Sequence, residues 1–141
     1  MLGTEPRIRE AFVKTGLVKL QFNHMLDFGA PSEVASQAAE CAGDQRSFWK
    51  MHDAFFANQD RLWDSTVGVV KALAQEIKLD AGAFNACMDS GKYLAKVRAQ
   101  DAARKSAGVR IRPTFDINGQ RIQGAANFDL FQQFIQKALG Q

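Results

Sequence analysis

Residues 113–123 read PTFDINGQRIQ, and this stretch decides the fold. Apolar and polar residues alternate in the four residues before the dipeptide Asn118-Gly119, and Ile122 lies between polar residues after it, as in strands that bury one face. Asn-Gly suits the left-handed positions of a two-residue turn. The stretch therefore predicts a β-hairpin made of the strands Thr114–Ile117 and Gln120–Gln123.

The segment after the hairpin predicts the last helix. Gly124 ends the second strand, and Asn127 is a favourable N-cap residue. Five apolar residues then follow at helical spacing on one face: Phe128, Phe131, Phe134, Ile135 and Leu139.

The segment before the hairpin is mainly helical in pattern. Near the N-terminus, a short helix is expected over residues 6–14, ended by Gly16, and a strand over residues 18–22, where apolar and polar residues alternate. Further helices are predicted from an N-cap at Ser32 to Ala42, over 48–56, over 66–78, from Asp80, and over 92–108 with Gly108 after the last turn.

Composition limits the class of protein. The chain has 141 residues, a hydrophobic share of 46% and a charged share of 23%, which suit one folded domain. No apolar run reaches the roughly 20 residues of a membrane helix. The net charge of +3 is spread along the chain, apart from Arg104-Lys105 and residues 110–112, so neither a nucleic-acid partner nor a membrane is predicted.

Four motifs indicate a family. They are AAECAGDQ at 38–45, FWKMHDAFFANQ at 48–59, FNACMDSG at 84–91 and PTFDINGQ at 113–120. Together with the order of strand, helical block, hairpin and helix, they resemble the DsbA-like thiol:disulfide oxidoreductases. The resemblance extends from about residue 4 to residue 139. It implies an α/β, truncated thioredoxin-like fold with a helical insertion. It also implies one domain over 1–141, with the insertion at about 32–107 and the hairpin and last helix at 113–139.

The sequence departs from this family at its redox motif. Family members begin with a strand that ends in Cys-x-x-Cys at a helix N-terminus, where the helix dipole favours the thiolate. The 141 residues contain no Cys-x-x-Cys, so no catalytic residue and no cofactor is predicted. We therefore expect a non-catalytic scaffold that binds a peptide or protein partner. The alternative is a thiol:disulfide oxidoreductase whose catalytic N-terminal segment is missing from this chain.

The resemblance also implies a peptide-binding loop at Arg112, Pro113 and Thr114. Family members approach a cis proline through a small, glycine-containing segment, whereas residues 109–113 here read VRIRP. Pro113 keeps the position of that proline, and a cis bond is implied there. Arg112 takes the position whose backbone pairs with a bound peptide in the family, and its side chain adds charge and bulk.

The two cysteines, Cys41 and Cys87, leave three alternatives open. They are buried free thiols, a structural disulfide of the kind found in some relatives, or a redox-active pair. A zinc site is not predicted, since two cysteines without clustered histidines do not supply four ligands. His24 and His52 are expected to be hydrogen-bonded residues of the core or its boundary.

The missing strand also bears on assembly and location. In the thioredoxin fold it lies between the strands predicted at 18–22 and 114–117, so its absence leaves two open sheet edges. A homodimer that covers them is predicted, and a rearranged sheet within one chain is the alternative. Charged residues near the N-terminus predict no export signal and hence a cytoplasmic protein. A fragment of a typical family member would instead be periplasmic or exported.

Overall fold

The computed structural model describes residues 3–63 and 66–140. They form two compact units. One comprises the described residues of Met1–Phe22 and Lys105–Gln141, and the other those of Asn23–Arg104. The second unit includes most of the range predicted for the helical insertion. The α-helices in chain order are α1 (Thr4–Ile8), α2 (Ala30–Gly43), α3 (Phe48–Ala57), α4 (Gln59–Leu62), α5 (Val67–Glu76), α6 (Ala81–Asp89), α7 (Leu94–Ser106) and α8 (Phe128–Ala138).

The predicted hairpin is confirmed. Strand β1 (Thr114–Ile117) pairs antiparallel with β2 (Gln120–Gln123), and Phe115 lies opposite Ile122. Asn118 and Gly119 take φ values of 48° and 88°, the left-handed pair that a two-residue turn of this kind requires.

Helix α8 completes the core of the hairpin's unit, as the sequence predicts. The Asn127 side chain accepts a hydrogen bond from the Leu130 amide at 3.0 Å and so caps the helix. The ring of Phe131 packs edge-on against Phe115, with centroids 4.6 Å apart. The buried residues of this core are Ile8, Phe12, Ile122, Phe131 and Ile135.

The helical unit has a separate core built from α2, α3, α5 and α6. Its fully buried side chains include Met51, Leu73 and Phe84. Two predicted starts are confirmed by their caps, since Thr66 accepts a hydrogen bond from the Val69 amide and Asp80 accepts one from the Ala83 amide. No helix in the part of the chain that the structure describes is long and apolar enough to cross a membrane.

The strand predicted at residues 18–22 is wrong. Within residues 3–63 and 66–140, the sheet has two strands, β1 and β2. The Val18 amide instead donates a hydrogen bond to the Phe12 carbonyl at 3.0 Å. An extended segment with alternating residues becomes a strand only when a neighbour pairs with it. Because β1 is not that neighbour, the rearranged sheet is not formed in this structure.

Two predicted helix starts are also corrected. The first helix begins at Thr4 and continues as a π-helical segment, Arg9–Val13, before Gly16. Helix α2 begins at Ala30 rather than after an N-cap at Ser32, because Gly29 adopts φ 64° and Pro31 fits the first turn. The Ser32 hydroxyl instead accepts a hydrogen bond from the Phe28 amide at 3.1 Å.

Candidate functional site

The predicted peptide-binding loop is an exposed segment held at both ends. Val109 is buried, residues 110–112 are exposed, and the bond between Arg112 and Pro113 is cis. The Pro113 carbonyl accepts a hydrogen bond from the Gly124 amide at 2.8 Å, which fastens the loop to the end of β2. The Thr114 hydroxyl donates to the carbonyl of Ile111. These two bonds fix the path of the backbone into β1.

The bond between Pro113 and Gly124 also fixes which main-chain groups of β1 point outward. In an antiparallel pair, hydrogen-bonded and non-hydrogen-bonded residue pairs alternate. Since Pro113 bonds to Gly124, the residue directly after β2, Phe115 and Ile117 direct their N–H and C=O groups toward β2. Thr114 and Asp116 direct theirs to the opposite edge. The described residues place no strand against that edge.

Two arginines lie beside the loop. Nη1 of Arg110 donates to the carbonyls of Lys105 and Val109, at 2.6 and 3.1 Å. Nη1 of Arg121, on β2, donates to the carbonyl of Ala107 at 3.1 Å. Both arginines are exposed residues.

The two cysteines belong to the other unit and are joined to each other. Cys41 on α2 and Cys87 on α6 form a disulfide with a Cα–Cα distance of 5.8 Å, and both residues are buried in the helical core. This distance is below the upper limit of about 7 Å for a bridge. The sequence has two cysteines in total, so the loop has no thiol of its own.

The sequence did not reveal which residues bond to His24, which lies in a partly buried, hydrogen-bonded cluster. His24 is 2% exposed, and its Nε2 lies 3.0 Å from Oε1 of Glu40 on α2. The other carboxylate oxygen of Glu40 accepts a hydrogen bond from Lys96 of α7 at 2.6 Å, and the His24 amide donates to Gln100 of α7. Burial lowers the pKa of His24 below its ordinary value of 6.5. The hydrogen bond and charge of Glu40 oppose this shift in part, while the charge of Lys96 adds to it.

This cluster predicts a pH-dependent stability. Because the folded-state pKa of His24 is below 6.5, the unfolded chain binds a proton there more readily than the folded chain. The free energy of unfolding should therefore fall as the pH drops below 6.5 and through the folded-state pKa. Urea unfolding at a series of pH values, compared with His24→Gln, checks this. Equal slopes in the two proteins, or a gain in stability on acidification, would contradict it.

The comparisons with known proteins agree with this fold. The thioredoxin family matches residues 3–137, nearly the whole chain, so this chain belongs to the thioredoxin family. A solved structure with the same architecture is the oxidised BdbD from Bacillus subtilis. Its TM-score is 0.83 at 24% identity, over 97% of this chain and 77% of that one. The resemblance to the DsbA-like proteins is thereby confirmed.

Curated relatives include longer proteins of two kinds. The Disulfide bond formation protein D of Bacillus subtilis is 26% identical over 140 residues, which cover 95% of this chain and 63% of that protein. The Na(+)/H(+) antiporter NhaA 3 of Salinispora tropica is 28% identical over 136 residues, which cover 95% of this chain and 20% of that protein. The chain thus spans a fifth of the antiporter and less than two thirds of the Bacillus protein.

Proposed function

We propose that this chain is a non-catalytic scaffold that binds an extended peptide along Arg112, Pro113 and Thr114 and the outer edge of β1. The observation that supports this most strongly is the open edge, where the main-chain groups of Thr114 and Asp116 point away from β2. An extended peptide that adds a strand to such an edge satisfies these groups with its own backbone. Each hydrogen bond then contributes about 0.5–1.5 kcal/mol net.

The chemistry of the cysteines supports a binding role rather than a redox role. Disulfide exchange requires a thiolate that attacks a sulfur atom of the substrate. Cys41 and Cys87 are 1% and 8% exposed and are bonded to each other. The loop therefore offers a bound peptide main-chain pairing and side-chain contacts, and no nucleophile from these 141 residues.

The binding mode is tested with three cysteine-free peptides of one extended sequence. One is unmodified, one is N-methylated at the alternate residues that would pair with β1, and the third is N-methylated at the residues between them. We expect the first and third to bind and the second to lose at least tenfold in affinity, because N-methylation removes the pairing N–H groups. Equal affinities for all three would exclude strand addition.

A second candidate function is thiol:disulfide exchange by a longer protein of which this chain is a part. It is favoured by the relatives called Disulfide bond formation protein D, of which this chain covers 63%. An insulin-reduction assay distinguishes the two candidate functions. It compares this chain, the Cys41→Ala/Cys87→Ala variant and the product of any upstream coding sequence. The scaffold proposal requires that this chain be inactive. Activity of this chain that is lost in the Cys41→Ala/Cys87→Ala variant would instead assign exchange to this pair.

The homodimer stays a prediction that concerns the same edge of β1. Two copies that pair their β1 edges around a twofold axis satisfy the outward groups of Thr114 and Asp116 in both chains. Light scattering at micromolar concentration should then give a mass of twice the chain's 15.6 kDa. The unmodified extended peptide should lower that mass, because it competes for the same edge. A mass of 15.6 kDa without peptide would exclude the dimer and leave the edge to the peptide.

A further inference from the structure

The positive charge of this chain is concentrated near the loop. Basic and acidic residues balance over residues 1–100, so the net charge of +3 arises entirely from residues 101–141. Between 105 and 123 the basic residues are Lys105, Arg110, Arg112 and Arg121, and Asp116 is the acidic one. A ligand of the loop therefore meets a positive potential.

Arg110 and Arg121 determine the chemistry of this surface. Both donate through Nη1 to main-chain carbonyls between Lys105 and Val109, so both guanidinium groups are fixed on the segment that leads into the loop. Because a carbonyl group is neutral, these hydrogen bonds do not cancel the positive charge of either guanidinium group. A guanidinium has five N–H donors, so each retains donors beyond those used by Nη1, in a fork that matches a carboxylate.

We propose that the peptide bound at the loop is acidic, with a carboxylate side chain near the paired segment that Arg110 and Arg121 bind. This inference rests on the proposed function, since it names the class of peptide that the same site takes. Arg112 adds to the positive charge of the surface. Asp116, whose main-chain groups face the proposed peptide, is the one acidic residue between 105 and 123 and lies opposite Arg121 in the strand pair. Charge complementarity of this kind selects among partners more than it strengthens binding to any of them.

The test uses three peptides of equal length that differ at two positions, occupied by Glu, Gln or Lys. At an ionic strength of about 0.01 M, we expect the Glu peptide to bind about tenfold more tightly than the Gln peptide, and the Lys peptide to bind most weakly. At about 1 M salt the Glu and Gln peptides should bind within about twofold of each other, because screening is then nearly complete.

Variants then assign the effect to the two arginines. Arg110→Gln and Arg121→Gln keep an amide N–H for the carbonyl and remove the charge, so each should reduce the Glu-to-Gln preference about threefold. Lys137→Gln, which removes a charge from the last turn of α8, should leave the preference unchanged. Equal binding of the three peptides would overturn this inference and leave the proposed function standing. Absence of binding by all three would contradict the proposed function itself.

Discussion

Loss of the Cys41–Cys87 disulfide is expected to lower the free energy of unfolding by about 4 kcal/mol. The bridge joins α2 to α6 across 46 residues. A cross-link that closes a loop of this length restricts the unfolded chain, which corresponds to about 4 kcal/mol in the chain-entropy account. Both residues lie in the core of the helical unit, so the reduced protein also has two buried thiols in place of a bond.

Urea unfolding with and without a phosphine reductant measures this effect. The Cys41→Ala/Cys87→Ala variant is the matched control, because it has no bridge and its stability should not respond to the reductant. The wild-type protein should approach the stability of that variant when it is reduced. If the reductant leaves the stability of the wild-type protein unchanged, the bridge does not stabilise the fold.

Phe131→Ala should destabilise the hairpin's unit by about 3–5 kcal/mol. Phe131 is 3% exposed, and its ring packs against Phe115 of β1, so truncation leaves a cavity that this small core cannot fill. Because Phe115 contacts Phe131 and its strand partner Ile122 lies in the same core, the edge where we propose peptide binding should lose its order. Peptide affinity should fall together with stability.

Leu130→Ala is the matched control for this substitution. Leu130 is the preceding residue of α8 and is 37% exposed, so its truncation should cost less than about 1 kcal/mol. Urea unfolding gives the two free energies, and amide hydrogen exchange at Phe115 and Ile122 shows whether the strands open. Similar losses for the two variants would mean that the contact with Phe115 does not support the hairpin.

Features with local determinants are the ones that the sequence predicts well. The turn at Asn118-Gly119 follows from residues that tolerate positive φ, and helix α8 follows from a cap at Asn127 and a regular apolar face. The family motifs add the order of the elements and identify Pro113. None of these features depends on residues that are distant in the sequence.

Features that depend on distant partners are the ones that the sequence fails to predict. Residues 18–22 alternate like a strand, yet strand formation needs a hydrogen-bonded neighbour that the local pattern does not contain. The cluster of His24, Glu40 and Lys96 joins a loop to two helices, so no spacing in the sequence marks it. The outward direction of Thr114 and Asp116 likewise follows from the pairing register with β2.

The most direct test of peptide binding is an NMR titration of ¹⁵N-labelled protein with the unmodified extended peptide. We expect the largest amide shift changes at Arg112, Thr114 and Asp116, whose segment borders the bound backbone, and no change in amides of the helical core around Phe84. Saturation without shift changes at residues 112–116, or no shift changes at any peptide concentration, would contradict it.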